Sequence, residues 1–132
     1  MQFVIKTSER EQVLDITREV QAIVSRYSLK EGLANVFVPH ATAALTINEN
    51  SDSKVSGDFL NYLKNQIPKG KWLHDEVDGN GDSHVKAALI GPSLSIPVQN
   101  NRLMLGRWQG IMLCEFDGPK DRTVIVNCVK TL

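Results

Sequence analysis

The chain contains three histidines, and each has polar neighbours that could take part in chemistry. His40 is followed by segment 41–49, which holds two threonines, an asparagine and a glutamate. His74 and His84 flank segment 75–83, which holds four acidic residues and two glycines. Imidazole is the commonest metal ligand among side chains, and it exchanges protons near neutral pH. If folding brings the three rings together, they form a metal site or an acid–base site.

The spacing of these histidines matches no compact metal motif such as His-Glu-x-x-His, so a metal site depends on the fold. Nitrogen-rich ligation by His40, His74 and His84 would favour a divalent transition ion such as zinc over magnesium. The alternative is three unrelated histidines, on the surface or in the core.

Two carboxylates end apolar rows in predicted strands. In the predicted strand 43–49, side chains alternate between two faces, so Glu49 ends an apolar row. In the predicted strand 108–116, Gln109 and Glu115 lie at the two ends of a second apolar row. Glu115 is either a solvated charge at the strand end or a buried carboxylate that needs a partner, since burying a carboxylate alone is costly. Arg122, just beyond the next turn, is the natural partner for that carboxylate or for a ligand anion.

Other common motifs are absent or incomplete. The segment that begins at Asp78 starts like a calcium loop, but Ser83 stands where glycine is required and Leu89 stands where a bidentate Glu is required. There is no Walker-type phosphate loop and no Gly-x-Ser-x-Gly elbow. Cys114 lies in an apolar run, which is typical of a core residue rather than a nucleophile.

Hydrophobic periodicity predicts about eight strands and three helices. Gly32 is the expected stop of the first helix, Ser51 or Asp52 is the expected cap of the second, and Pro68 ends it. Segment 68–83 is a long stretch without periodicity, which is often functional in a small domain. This order of elements indicates an α+β domain with largely antiparallel sheets. The predicted strands are 2–7, 12–16, 34–40, 43–49, 94–98, 103–105, 108–116 and 123–129; the helices start near 17, 52 and 84.

Length and charge indicate a single domain and argue against several classes of binding partner. The 132 residues suit one domain, 1–132, with 42% hydrophobic residues to fill a core. Fifteen basic residues balance fifteen acidic ones, which argues against nucleic acid or an anionic membrane as a partner. No apolar stretch is long enough to span a bilayer, and the N-terminus lacks a signal-peptide pattern. Two cysteines in apolar runs indicate reduced thiols and a cytoplasmic protein.

Several spaced motifs, in the same order along the chain, resemble the YjbQ family. They are His40-x-Thr42-Ala43-Ala44-Leu45-Thr46-Ile47-Asn48-Glu49, Trp72-x-His74, His84-x-x-Ala87-x-Leu89-x-Gly91-x-Ser93, Ile96-Pro97-Val98 and Leu103-x-Leu105-Gly106-x-Trp108-Gln109-x-Ile111. The resemblance implies a homotrimer and a weak secondary thiamine-phosphate synthase activity. Arg107 stands where the family usually has Thr, and it could supply a new anion contact.

The resemblance implies a transferase that joins a pyrimidine diphosphate to a thiazole phosphate and releases pyrophosphate. The alternatives are a metal-dependent hydrolase or lyase of a small phosphorylated metabolite, and a non-catalytic module that binds a small ligand or metal. No glycine-rich phosphate cradle is present, which fits a weak transferase activity. The expected catalytic residues are His40, Glu49, Gln109 and Glu115; the expected substrate-binding residues are Thr42, Asn48, Arg107 and Arg122; the expected metal ligands are His40, His74 and His84.

Overall fold

The structure is a computed structural model that describes residues 1–131. It contains eight strands, three α-helices and one 3-10 helix at Leu73–Glu76. No helix within these residues is long and apolar enough to cross a membrane. In chain order the elements are β1 (Gln2–Lys6), β2 (Gln12–Asp15), α1 (Thr17–Arg26), β3 (Glu31–Phe37), β4 (Ala43–Glu49), α2 (Ser53–Gln66), α3 (Gly81–Ile90), β5 (Ser93–Gln99), β6 (Arg102–Leu103), β7 (Gln109–Glu115) and β8 (Asp121–Lys130).

The strands form two sheets, and every strand pair is antiparallel. The five-stranded sheet has the order β1-β8-β3-β5-β6, and the three-stranded sheet has the order β2-β7-β4. The predicted α+β class with antiparallel sheets is therefore confirmed. Strand β7 is central in its sheet, as its apolar character on both faces indicates.

The three-stranded sheet is buried on both faces. Ala43 and Leu45 of β4 pack into a core shared with α1 and the five-stranded sheet. Ala44, between them, packs with Leu63 of α2 and Ala87 of α3 in a second core. The period-two alternation of a strand therefore places the two sheets and the helices α2 and α3 in successive layers.

Several predicted boundaries are corrected by the structure. Helix α1 ends at Arg26, and Ser28, not Gly32, adopts the left-handed conformation after it, with a φ of 52°. Gly32 lies inside β3, where an added Cβ would stand 2.1 Å from the carbonyl oxygen of Val129. Gly32 thus permits close approach of two strands rather than ending a helix.

The second helix is capped by Asp52, whose side chain accepts a hydrogen bond from the Lys54 amide at 2.9 Å. The third helix begins at Gly81, three residues before the predicted start. Segment 68–83 therefore contains the 3-10 helix and the first turn of α3. Cys114 is fully buried, which confirms it as a core residue. Burial raises the pKa of its thiol to about 12.

A buried ion pair joins the two sheets. Glu115 of β7 is fully buried, and its carboxylate accepts hydrogen bonds from Arg122 of β8, one of them from Nε at 2.9 Å. Thr7 donates to the same carboxylate at 2.7 Å, and the Asp117 amide donates at 3.1 Å. Burial alone would raise the pKa of Glu115, but hydrogen bonds from Arg122, Thr7 and the Asp117 amide, with the charge of Arg122, outweigh burial and lower it.

The close approach at Gly32 predicts opposite effects for two Gly→Ala substitutions. Gly32→Ala should lower the free energy of unfolding by about 1–3 kcal/mol, because the new methyl group meets strand backbone. Gly57→Ala is the control. Gly57 lies inside α2 with open space around it, so the substitution should raise stability by about 0.5–1 kcal/mol. Urea titration at neutral pH measures the free energy of unfolding of both variants. Equal changes in the two variants would contradict the close approach of β3 and β8 at Gly32.

Glu115→Gln should destabilise the fold by about 3 kcal/mol at pH 7, because Arg122 remains buried without its counter-ion. The folded-state pKa of Glu115 lies below its ordinary 4.5, so its stabilisation is present above pH 4.5 and is lost as pH falls through the folded-state value. The variant should therefore show a flatter loss of stability on acidification. Glu9→Gln, on an exposed carboxylate, is the control, and a matching result from the two variants would refute the role of the pair.

Candidate functional site

His40 lies in the loop after β3, because that strand ends at Phe37 rather than at residue 40 as predicted. Its Nε2 accepts a hydrogen bond from the backbone amide of Thr123 at 2.8 Å. The β3–β8 ladder ends at the Phe37–Ile125 pair, so β8 continues past the end of its neighbour. The imidazole thus accepts a hydrogen bond from a β8 amide beyond the last residue of β3.

The environment of His40 favours the neutral ring. Burial lowers its pKa from the ordinary 6.5, and the charge of Arg122 lowers it further, against an opposite effect of Glu115. Since Nε2 accepts from Thr123, the proton of the neutral ring is assigned to Nδ1. His40 therefore has an N–H donor at Nδ1 at neutral pH.

His74 and His84 are adjacent. Their ring centroids lie 4.6 Å apart in an edge-to-face arrangement, and His74 Nε2 stands 3.5 Å from Asp78 Oδ2. The side chain of Asp75 fixes this placement, because it accepts hydrogen bonds from the Trp72 amide at 3.0 Å and from the Gly81 amide at 2.8 Å. These bonds hold the 3-10 helix that carries His74 against the start of α3, which carries His84.

An open pocket of about 320 Å³ lies between the loop of His40 and helix α3. His40 and His84 are the polar residues of its lining, and the remaining lining residues are small and apolar. His74 does not line this pocket, but it contacts His84 from the side. The complete lining is His40, Ala41, Ala43, His84, Ala87, Ala88 and Pro92.

The three predicted metal ligands make different contacts in this structure. Within residues 1–131, no three His, Cys, Asp or Glu side chains are grouped as metal ligands. His40 uses Nε2 to accept from Thr123, and the other nitrogen carries the proton. The rings of His74 and His84 are in direct contact. Zinc ligation by all three histidines therefore stays a prediction.

Thr42, Glu115 and Arg122 form a buried polar layer behind His40. Arg122 Nη2 donates to Thr42 Oγ1 at 2.8 Å and to the Thr42 carbonyl oxygen at 3.2 Å. The predicted Glu115–Arg122 pairing is confirmed. All three residues are at most 6% exposed, so this layer positions the loop of His40 rather than presenting a surface to a ligand.

The other four predicted site residues lie at the far end of the same strands. Ala43 is opposite Glu115 in the β4–β7 ladder, and Glu49 is opposite Gln109, six residues along. At about 3.3 Å per residue, the two ends are about 20 Å apart. Gln109 accepts from the Gly106 amide at 2.8 Å, and Asn48 accepts from the Glu49 amide at 2.8 Å. Asn48, Glu49, Arg107 and Gln109 are therefore not at the histidine pocket within one chain.

Sequence reasoning missed a second charged group, on the opposite side of α3. The buried Lys86 ammonium stands 2.9 Å from Asp82 Oδ2, and Arg10 binds the same carboxylate at 3.0 Å. The i,i+4 spacing of Asp82 and Lys86 was an available signal. This spacing did not predict an ion pair, because the predicted third helix begins at His84 and leaves Asp82 in a loop.

Comparison with known proteins agrees with this fold and these motifs. The sequence profile of the family described as "UPF0047 protein YjbQ-like" matches residues 1–131. The chain is 42% identical to UPF0047 protein MJ1081 of Methanocaldococcus jannaschii, over 95% of this chain and 90% of that protein. It is 43% identical to UPF0047 protein YugU of Bacillus subtilis, over 93% of each.

The crystal structure of a YjbQ/UPF0047-family protein from Clostridium acetobutylicum superimposes with a TM-score of 0.93 at 45% identity. The match covers 98% of this chain and 99% of that one. A hypothetical protein from Aeropyrum pernix gives a TM-score of 0.94 at 39% identity, over 99% and 98% of the two chains. The resemblance predicted from the spaced motifs is confirmed, and the chain belongs to the YjbQ/UPF0047 family.

Proposed function

We propose that this chain is an enzyme acting on small metabolites, with His84 as its acid–base group and His40 as a hydrogen-bond donor to the substrate. The observation that carries the proposal is that two imidazoles distant in sequence line one pocket of about 320 Å³. One of them is held by a backbone amide and kept neutral near pH 7 by burial and by Arg122. A fixed neutral imidazole with a free N–H beside an open pocket is suited to donate a hydrogen bond to a bound substrate.

The substrate pair to test first is a pyrimidine diphosphate and a thiazole phosphate. In that reaction the thiazole nitrogen forms a bond to the methylene carbon of the pyrimidine. The carbon–oxygen bond to the diphosphate breaks, and pyrophosphate leaves with the electron pair. The N–H at Nδ1 of His40 would donate a hydrogen bond to the departing oxygen, which stabilises its developing charge.

The pocket supports a slow rather than an efficient transferase. Its lining contains no lysine or arginine, and the Nε and Nη2 atoms of Arg122 already bind Glu115 and Thr42. Rapid departure of a diphosphate leaving group needs cations or several amide donors around its oxygens. A weak side activity fits this environment better than a dedicated synthase.

A metal-dependent hydrolase or a metal-binding module is the second candidate. The close contact of His74 with His84, and of His74 with Asp78, favours it. A transition ion such as zinc bound there would act as a Lewis acid beside the pocket. In this alternative His74 is as important as His84, whereas the acid–base proposal gives it a lesser role.

We also propose that the protein is a cytoplasmic homotrimer. The outer face of the five-stranded sheet exposes Val4, Leu33, Phe37 and Val129, and Leu33 lies directly opposite Val129 in the ladder. Both cysteines are free thiols, which suits a reducing compartment.

Substitution of either pocket histidine should reduce product formation by about 100-fold or more, because the hydrogen-bond donor or the acid–base group is removed. His40→Gln and His84→Gln are compared with the wild type by measuring pyrophosphate released from the two substrates. Tyr62→Phe, on the exposed face of α2, is the control and should keep the full rate. Absence of product from folded wild-type protein, or a full rate in His40→Gln, would refute the transferase.

His74→Gln and metal analysis separate the two candidates. An acid–base site predicts a small effect of His74→Gln and no dependence on bound metal. A metal site predicts stoichiometric zinc or a similar ion in protein purified without chelator, and its loss in His74→Gln. Elemental analysis gives this result independently of activity.

Light scattering should give a mass three times the 14.7 kDa of one chain. Leu33→Glu should lower that mass, because it places a charge on the exposed sheet face. Tyr62→Glu, at an exposed apolar residue away from this sheet, should leave the mass unchanged. A monomeric wild type would contradict the proposed trimer.

A further inference from the structure

A second cavity, of about 370 Å³, lies across α3 from the histidine pocket. The turn between β1 and β2, the C-terminal end of α2 and one side of α3 enclose it. Its lining shares no residue with the histidine pocket. Four lysine or arginine side chains and two carboxylates supply most of its polar groups. The complete lining is Arg10, Glu11, Lys64, Asn65, Pro68, Lys69, Asp82 and Lys86.

The inner wall of this cavity is a buried charged group. Lys86 is 1% exposed, and its ammonium stands 2.9 Å from Asp82 Oδ2 and 3.4 Å from Glu11 Oε1. Arg10 binds the other oxygen of Asp82 at 3.0 Å. Burial alone would raise the pKa of Asp82, but hydrogen bonds from Lys86 and Arg10 outweigh it and lower the pKa. The carboxylate is therefore ionised and fully committed to these two cations.

One N–H donor of the Lys86 ammonium has no acceptor within residues 1–131. A lysine has three N–H donors, and within residues 1–131 this one has only the two carboxylate acceptors. Lys86 is otherwise buried but lines the cavity, so the remaining donor can be met only by what fills the cavity. A buried cation with an unused donor on the wall of a cavity is complementary to an acceptor-only ligand.

The rim of the cavity adds two more positive charges. Lys64 and Lys69 are exposed, and neither forms an ion pair within the described part of the chain. With Arg10 and Lys86 the lining carries four cations against the two carboxylates Glu11 and Asp82. The net charge of the lining is therefore +2. This excess disfavours a divalent cation and favours a dianion.

We propose that this cavity binds a phosphate-bearing anion, with Lys86 and Arg10 at its inner wall and Lys64 and Lys69 closing over it from the rim. The volume exceeds what a single phosphate fills, so pyrophosphate or a phosphorylated small molecule fits better than inorganic phosphate. The inference goes beyond the proposed function, because it concerns a separate site and holds whatever reaction the histidines perform.

Isothermal titration of the full chain with pyrophosphate, and in parallel with inorganic phosphate, tests the proposal. Amide chemical-shift mapping locates the bound anion. We expect saturable binding, tighter for pyrophosphate, with shifts concentrated at Arg10, at 64–69 and at 82–86. Absence of saturable binding by either anion would overturn the proposal.

The double variant Lys64→Gln/Lys69→Gln should weaken pyrophosphate binding by about tenfold or more, because two charges that face the anion are lost. Lys6→Gln/Lys54→Gln removes the same total charge from exposed positions elsewhere and is the control. Lys86 is left in place, because its removal would leave Asp82 buried with one cation fewer. Equal weakening in both double variants would show general charge attraction only and would overturn the site.

The histidine variants keep this test independent of the proposed function. His40→Gln/His84→Gln should bind pyrophosphate as tightly as the wild type, because neither side chain lines the cavity. If these substitutions abolish binding while Lys64→Gln/Lys69→Gln has no effect, the anion binds in the histidine pocket and the proposal is wrong. Loss of catalysis with retained binding would instead leave the second site intact.

Discussion

The buried ion pair between Glu115 and Arg122 is the interaction on which the histidine pocket depends. It joins strands of two different sheets, and Arg122 also fixes Thr42, two residues beyond His40. The next residue after Arg122 supplies the amide that binds the imidazole. One arginine therefore contacts both sheets and the loop of His40, and its charge lowers the pKa of His40. Buried pairs are poor general stabilisers, but breaking one is costly because it leaves a buried charge without its partner.

Helix α3 separates two chemically different surfaces. His84 and Ala87 face an open pocket that is apolar apart from its imidazoles. Asp82 and Lys86 face a cavity that is rich in charge. A helix allows this division because residues three or four apart share a face, whereas residues two apart do not. The fold thus offers two sites of different polarity within one small chain, and the proposed anion site needs nothing from the histidines.

Local patterns predicted most of the fold and part of the site. Strand β4 matches its predicted bounds, and Asp52 caps α2 because its side chain is a good acceptor for exposed amides. The pairing of Glu115 with Arg122 followed from the cost of burying a lone carboxylate. Gly32 was misread because a glycine after a helical pattern resembles a helix stop, while the contact that requires it comes from Val129, far along the chain. No local signal reports such a contact.

The sequence by itself determined the residue types, the alternation of strands and helices, the antiparallel α+β class and the family. These properties depend on periodicity and on motifs, which are local in the chain. Only the tertiary structure decided which polar residues meet. It placed His40 and His84 on one pocket, and it placed Glu49 and Gln109 at the far end of the β4–β7 ladder, about 20 Å away. The physical reason is that strand register and the turn of a helix set the distances between side chains, and both are fixed by packing between segments that are remote in sequence.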